Sequence, residues 1–384
     1  MIIRIFFTGG ATGGHLFPIK AIVNELKETP LSNLKIEFYW FGPKPRFPFE
    51  FKDIQPIWLP DFQFRRYFSW KTIVDFFKIP WILLKIFVVL FWKMPNLIFV
   101  KGGSVSFFVA LIAKIYNLPI IVHESDSICG LANKISSFLA SKILLAFEKA
   151  KESLPAKVLN KKEVITIGQP IDESLANYSF SKEEMQKFEP ERKLILILGG
   201  SQGAQEINEI IIEILPSLVE KYYVVHLTGE KLFEETKTLA QFNLRAKAPT
   251  KMHYYSVFPF LLPQELAKYY QIASLVISRA GSNTLFEIAY FGIPSIIIPL
   301  SQNVVGPHQV LNAMIYASYG ACRVIQPGNL KPHILLLNIE EILTNREIWT
   351  KMKFGAKNFY LPQSAKKIAQ LISETIFKEY EIVF

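Results

Sequence analysis

Ser274-Leu275-Val276-Ile277-Ser278-Arg279-Ala280-Gly281-Ser282-Asn283-Thr284-Leu285-Phe286-Glu287-Ile288-Ala289-Tyr290-Phe291-Gly292-Ile293-Pro294-Ser295-Ile296-Ile297-Ile298-Pro299 reads as strand, tight turn, helix and strand again. The apolar run Leu275 to Ser278 has the composition of a buried strand. Leu285 to Phe291 is helical and stops at Gly292, before Pro294; Ser295 to Ile298 resumes an extended run that Pro299 closes. Ser282 and Asn283 are good N-cap residues, so the helix is expected to begin there with amide N–H groups facing outward. A helix start just past a buried strand is a ready anion site, because its amides and its dipole favour phosphate. Glu287 falls about one turn in. A carboxylate there is repelled by phosphate unless it serves another group, and a sugar diol is the obvious client, since one carboxylate accepts from two hydroxyls. The alternative is a solvated first-turn acid that steadies the helix dipole.

Outward from this stretch the same unit recurs. Ile2 to Phe7 is an apolar strand that ends abruptly in Thr8-Gly9-Gly10-Ala11-Thr12-Gly13-Gly14-His15, and Leu16 to Lys27 has helical periodicity. Strand, glycine loop and helix let backbone approach a phosphate or sugar closely. The spacing is neither the dinucleotide fingerprint nor the P-loop. His15 stands at the helix start among glycines that clear space around it, and an imidazole poised near neutral pH is the favoured general base. Ile36 to Phe41 is a second strand, and Pro43 to Pro60 a proline- and aromatic-rich loop with short extended pieces. Leu97 to Val100 leads into Lys101-Gly102-Gly103-Ser104-Val105-Ser106 and a helix from Phe107 to Tyr116. Pro119 to Val122 ends in His123-Glu124-Ser125-Asp126-Ser127. Polar residues at the carboxyl ends of parallel strands line the crevice where open α/β sheets bind ligands, which places Glu124 and Asp126 near His15. Ile143 to Ala146 and Val164 to Ile167 complete this half, and Ser179 to Arg192 is a charged connector.

The second half restarts the pattern. Leu194 to Leu198 is a strand, Gly199-Gly200-Ser201-Gln202-Gly203-Ala204 a glycine turn, and Ile207 to Val219 a helix containing Pro216. Tyr223 to Leu227 is the next strand, and Gln264 to Gln271 a helix that feeds the opening stretch. Two such systems imply an α/β chain of two facing Rossmann-like domains with a central cleft. The boundaries expected are 1–170, 171–350, and a helical tail over 351–384 whose Ile368, Leu371, Ile372, Ile376 and Phe377 pack back on the first domain.

Trp70 to Pro95 is the most apolar stretch, interrupted by Lys78, Pro80 and Lys85, so that no run of transmembrane length survives. Lysines spaced along an apolar helix with flanking tryptophans suit a segment lying in a membrane interface; a buried crossover helix is the other reading, and both are compatible. Trp81, Leu84, Phe87, Val88 and Trp92 share a broad face, with Lys78 and Lys85 on one flank and Lys93 near its end. With 384 residues, half of them hydrophobic and 20% charged, disorder is excluded. The net charge of +10 suits anionic partners. The basic residues are scattered and show no nucleic-acid motif, so a nucleic-acid partner is not expected. Cys129 and Cys322 make neither a disulfide framework nor a metal spacing. The first apolar run is strand-length and lacks a signal-peptide cleavage site.

Assembled, these residues make the chain resemble, over nearly its full length, the peptidoglycan glycosyltransferases that add N-acetylglucosamine to undecaprenyl-pyrophosphoryl-N-acetylmuramoyl-pentapeptide. The resemblance rests on Gly9 to His15, Gly102 to Ser106, His123-Glu124 with Gly130-Leu131-Ala132-Asn133-Lys134, Gly199 to Ala204, Ser278 to Gly281 with Thr284 and Glu287, and His308-Gln309 with Asn312-Ala313. It implies the two-Rossmann GT-B fold, a UDP-N-acetylglucosamine donor held mainly by the second domain, a polyprenyl-linked acceptor, and neither an essential metal nor another cofactor. It places Thr12, Gly13, Gly14, Ser201 and Gln202 near the donor, and gives the acceptor and phosphate loop to Gly102, Gly103 and Ser104. Ser282, Asn283, Thr284, Leu285, Phe286 and Glu287 would hold pyrophosphate and ribose, His308 and Gln309 the sugar, and an amide near Leu261 the uracil. The membrane patch falls on Trp70 to Pro95, which implies peripheral attachment to an anionic membrane at its cytoplasmic face.

The chain departs from that family at Ala11, where glycine is usual, at Ser104, where an aromatic is usual, and at Phe107-Phe108, where the usual pair is smaller. Asp126 and Gln169 stand where asparagine is usual, and Asp172 replaces an arginine, exchanging a positive charge for a negative one. The expected reaction is inverting: the acceptor's 4-hydroxyl attacks the anomeric carbon while UDP leaves. His15 is the first choice of base, with Glu124 or Asp126 orienting it, and Asp126 as base the alternative. The absence of an Asp-x-Asp motif at a strand end in either half agrees with metal independence. Two rivals are a UDP-N-acetylglucosamine 2-epimerase, which needs no acceptor, and a non-catalytic module that binds lipid-linked intermediates.

Overall fold

The computed structural model describes residues 2–45, 47, 49–60, 70–200, 203–301 and 307–380, with backbone alone at 32, 33 and 70–76. The chain divides into two compact units, Met1–Asp172 with Leu361–Phe384, and Glu173–Tyr360.

The first unit holds β1 (Ile2–Thr8), β2 (Lys35–Gly42), β3 (Ile54–Trp58), β4 (Leu97–Val100), β5 (Ile120–Glu124), β6 (Lys142–Leu145) and β7 (Glu163–Thr166). They form one sheet in the order β3-β2-β1-β4-β5-β6-β7, every pair parallel. A parallel sheet covered on both faces needs strands that are apolar on both faces, and β1 shows it. Ile3, Ile5 and Phe7 pack with Leu16, Ile19 and Ile22 of the helix Gly13–Leu26. Phe6, on the other face, packs with Ile86 and Val109 of the helices Trp70–Lys93 and Ser104–Ile115. One extended piece of Pro43 to Pro60 is β3; at a sheet edge the missing N–H of Pro56 is tolerated. Strand order reverses between β1 and β4, so a ligand crevice is expected at their carboxyl ends.

Helix Trp70–Lys93 runs through Pro80 without a break. An interior proline costs about 3 kcal/mol. Ile82, Ile86 and Leu90, fully buried along one stripe, offset that at about 1.5–3 kcal/mol each.

The second unit contains β8 (Leu194–Leu198), β9 (Tyr223–Leu227), β10 (Tyr255–Phe258), β11 (Ala273–Ser278), β12 (Ser295–Ile297) and β13 (Cys322–Val324). Their order is β10-β9-β8-β11-β12-β13, again all parallel, with the reversal between β8 and β11. Residues 351–360 stay in this unit, where the Phe359 ring packs tilted against Phe286, centroids 4.7 Å apart. The chain returns to the first unit at Leu361. There the helix Ser364–Glu379 buries Ile368, Ile372 and Ile376 beside Ile3 and Leu16. Each unit is thus a doubly wound, Rossmann-like parallel sheet.

Candidate functional site

In the first unit the candidates gather at the carboxyl ends of β1, β4, β5 and β7. Thr12 caps the helix Gly13–Leu26 in extended geometry, but its side chain caps no amide. Thr12 Oγ1 lies 2.9 Å from His15 Nδ1 instead. The imidazole rests over Gly10, where a Cβ would come within 2.9 Å of His15 Cε1, so only glycine leaves the ring its place. Gly103, at φ +92°, is as confined: its Cβ would fall 2.8 Å from the Gly10 nitrogen. The loops after β1 and β4 therefore meet backbone to backbone. Ala11 is not among the described non-glycine residues with positive φ, so replacing glycine there costs no backbone strain. Gly13 faces Phe17, Gly14 lies beside Thr12 Oγ1, and Gly102 packs on Asn133. Ser104 is the first residue of the helix Ser104–Ile115.

Glu124 is occupied differently from the expectation that it orients His15. β5 extends to Glu124, which puts the carboxylate under its own loop. It accepts from the amides of Asp126 (2.9 Å) and Gly130 (2.9 Å) and from Asn133 Nδ2 (3.0 Å). Thr12, and not Glu124, is the hydrogen-bond partner of His15. Burial, and then the neighbouring charge of Asp126, raise the Glu124 carboxyl above the usual range. Asp126 itself is half-buried at the start of that loop. Asp172, in the place of the family's arginine, accepts from Asn24 Nδ2 at 3.1 Å.

The centre of this half is a residue that sequence reasoning missed. Lys101 is only 2% exposed. Its Nζ lies 2.7 Å from His123 Nδ1, 2.7 Å from Ser125 Oγ and 3.0 Å from Gln169 Oε1. His123 Nε2 is 3.0 Å from the Gly168 carbonyl. A carbonyl only accepts, so Nε2 carries the hydrogen and the Nδ1 lone pair faces the lysine. Burial lowers Lys101 to about 7 against the pull of Glu124 and Asp126. Burial, and then the charge of Lys101, hold His15 at about 4 and His123 well below its usual value. At neutral pH the His15 ring is therefore unprotonated. A lysine between a strand end and two glycines at a topological switch point was the available signal.

In the second unit the helix Ser282–Phe291 starts one residue earlier than expected. Gly281 is its cap and Ser282, already helical, is buried. Leu285 N–H makes the first helical bond, to the Gly281 carbonyl at 3.0 Å; the amides of Ser282, Asn283 and Thr284 precede the ladder at its positive end. A Cβ on Gly281 would meet nothing closer than Thr284 Oγ1 at 3.9 Å. Leu285 and Phe286 are buried in the core, which leaves only their backbones for a ligand. Glu287 is half-buried, and its Oε2 accepts from Tyr270 Oη at 3.0 Å, a partner sequence spacing does not reveal. Burial raises its carboxyl to about 7 against that hydrogen bond.

Arg279 Nη1 donates to the carbonyls of Ile298 and Pro299, and Nη2 to Glu206 at 2.9 Å, joining the ends of β11 and β12 to the helix Gln205–Lys221. Gln309 Oε1 accepts from the Leu300 amide at 3.0 Å, and His308 opens the helix His308–Ser318. Leu261 is buried between β10 and the helix Pro263–Ile272. Ser201 and Gln202 lie outside the described residues.

The helix Trp70–Lys93 presents an exposed apolar face. Trp81 and Trp92 are 63% and 77% exposed, and Phe77, Leu84, Phe87, Val88 and Phe91 accompany them. Ile115 and Leu131 are also exposed, on the neighbouring helices Ser104–Ile115 and Leu131–Leu139. Lys93 does not border this face freely: its ammonium lies 3.2 Å from Tyr39 Oη and 4.9 Å from that ring. No helix among the described residues is long and apolar enough to cross a membrane.

Comparison with known proteins adds to this geometry. Residues 5–145 match the glycosyltransferase family 28 N-terminal domain and residues 194–372 its C-terminal domain. A Borrelia hermsii protein named UDP-N-acetylglucosamine--N-acetylmuramyl-(pentapeptide) pyrophosphoryl-undecaprenol N-acetylglucosamine transferase is 34% identical over 373 residues, 96% of each chain. The crystal structure of Acinetobacter baumannii MurG superposes with a TM-score of 0.69 at 25% identity, covering 97% of this chain and 99% of that one. A Neisseria meningitidis UDP-GlcNAc 2-epimerase, bound to UDP-GlcNAc, superposes with a TM-score of 0.65 over 98% of this chain and 100% of its own. At 14% identity that likeness is one of fold alone.

Proposed function

The chain belongs to glycosyltransferase family 28, and from that premise we propose that it transfers N-acetylglucosamine from UDP-N-acetylglucosamine to undecaprenyl-pyrophosphoryl-N-acetylmuramoyl-pentapeptide, forming the lipid-linked disaccharide of peptidoglycan synthesis. One observation carries the reading: the 34% identical match to a transferase of that name spans 96% of both chains. Both units are therefore shared, not the nucleotide-sugar fold alone.

The second unit takes the donor. The diphosphate sits at the start of the helix Ser282–Phe291, with Glu287 on the ribose diol and Leu261, His308 and Gln309 toward the uracil and sugar. The acceptor's 4-hydroxyl attacks the anomeric carbon with inversion, and the bond to the UDP oxygen breaks. Negative charge grows on the β-phosphate, where oriented amides at a helix start lower its energy without reorganising.

The first unit takes the acceptor and its proton. The tautomer that serves as base donates Nδ1–H to Thr12 Oγ1 and leaves the Nε2 lone pair for the proton. By its protein surroundings alone this base is weak, at about 4. An acceptor diphosphate brings negative charge, which favours the imidazolium and raises that value toward the working range. Asp126 is the alternative base.

The exposed face of Trp70–Lys93, bordered by Lys78 and Lys85, docks shallowly on the anionic cytoplasmic face of the membrane that holds the acceptor. Each nearby lysine adds about 1 kcal/mol. The deciding assay supplies labelled UDP-N-acetylglucosamine and the lipid-linked muramoyl acceptor. Transfer of label to lipid supports the reading. Acceptor-independent formation of the 2-epimer of the donor would replace it with an epimerase, and binding without turnover with a scaffold.

A further inference from the structure

We infer that Lys101 is a positioning residue for the acceptor half of the site: a buried side chain that ties the ends of β5 and β7 to the glycine loop beside His15. The inference rests on the reading of that half as the acceptor side. Lys101 stands at the switch point of the first sheet, between β4 and the double glycine. Its three N–H vectors find three acceptors from two other strand ends: His123 Nδ1 and Ser125 Oγ after β5, and Gln169 Oε1 after β7. A buried ammonium left one bond short pays heavily in desolvation, so this cradle is an all-or-none arrangement. His123 has both nitrogens engaged, Nε2 on the Gly168 carbonyl and Nδ1 on Lys101. It has no lone pair for a substrate proton and acts as part of the cradle.

Two positions where the chain departs from the resembled family lie around this ammonium. Gln169, one methylene longer than asparagine, supplies one of the three acceptors, and Asp126, charged where asparagine is neutral, attracts it. The groups that face Lys101 are His123, Glu124, Ser125 and Asp126 from the β5 end and Gln169 from the β7 end, and its charge is felt by His15 from the first helix. Through Gly103 against Gly10 the same loop bears on the backbone beneath the His15 ring. Lys101 thus acts on His15 both by charge and by contact.

The test needs no substrate for its first arm. Proton titration of His15 by NMR is compared between the wild-type chain and Lys101→Met, which keeps the apolar stem and removes the charge. A like charge removed from its neighbourhood raises the histidine pKa, here by about half a unit or more. An unchanged His15 titration in a folded Lys101→Met protein overturns the placement of Lys101 against the His15 loop, whatever the substrate proves to be. In the transfer assay the same variant is expected to lose about 10- to 100-fold in kcat, the usual effect of a small misplacement of reacting groups, with the donor KM unchanged. Should Lys101→Met not fold, Ser125→Ala removes one acceptor and keeps the lysine. A severalfold fall in kcat with unchanged donor KM supports the proposal, and wild-type kcat in Ser125→Ala refutes it.

Discussion

With Glu287 on the ribose diol as proposed, donor binding should be proton-linked between pH 6 and 8. Its carboxyl is raised to about 7 by burial, with the Tyr270 hydroxyl as its one described hydrogen-bond donor. Only the carboxylate accepts from both hydroxyls of a diol, so the binding-competent fraction is about nine-tenths at pH 8 and about one-tenth at pH 6. The Kd for UDP-N-acetylglucosamine should be roughly tenfold weaker at pH 6 than at pH 8, although the sugar-nucleotide diphosphate does not itself titrate in this range. The sign for folding stability is the opposite. A folded-state pKa above the unfolded one stabilises below about 4.5, and that contribution is lost as pH rises through about 7. Calorimetry in two buffers of different ionisation enthalpy counts the proton released on binding. Glu287→Gln keeps the shape, abolishes the pH dependence, and weakens binding roughly 10- to 100-fold, the worth of hydrogen bonds to a charged group. Tyr270→Phe removes a bond that favours the carboxylate, so the inflection moves to higher pH. A pH-independent Kd in the wild-type protein, with no proton released, would refute the assignment of Glu287 to the ribose.

His15→Ala should bind UDP normally and lose about 10²–10⁴-fold in turnover, the range for a missing general base; a larger loss in Asp126→Asn reverses the two roles. EDTA should leave transfer activity intact, and inhibition that magnesium reverses would contradict a metal-independent mechanism. Changing Trp81 and Trp92 to Ser together with Lys78 and Lys85 to Glu should weaken co-sedimentation with anionic vesicles. Equal sedimentation of variant and wild type, or resistance of the native protein to alkaline carbonate extraction, would displace the membrane face from the helix Trp70–Lys93.

The fold was legible where local chemistry and tertiary demand agree. Leu194–Leu198 and Tyr223–Leu227 occupy the ranges expected for them because strands buried on both faces must be apolar throughout. The glycine turns fell at strand ends because backbone must approach backbone there, as Gly103 does to Gly10. Helix Phe233–Lys247 carries too few apolar residues to announce itself. Thr12 as partner of His15 is a local relation, three residues apart at a helix start, and was within reach of the sequence. At Lys101 the signal was its place between a strand end and two glycines, and its partners stay hidden until β5 and β7 bring His123 and Gln169 to it. Tyr270 likewise meets Glu287 only once its helix packs against the helix Ser282–Phe291.

The crossing of the chain back at Leu361 has a bearing on how it folds. The second unit is continuous in sequence, from Glu173 to Tyr360, and holds all of its own strands. The first is not: one face of its sheet, with Leu16, Ile19 and Ile22, is sealed by Ile368, Ile372 and Ile376. During synthesis that face stays uncovered while the whole second unit is made. Contacts so distant in sequence form slowly, because their loop-closure entropy is paid before they contribute. The unit translated first is therefore the one completed last, and its exposed apolar strands are what a chaperone would have to shield in the interval.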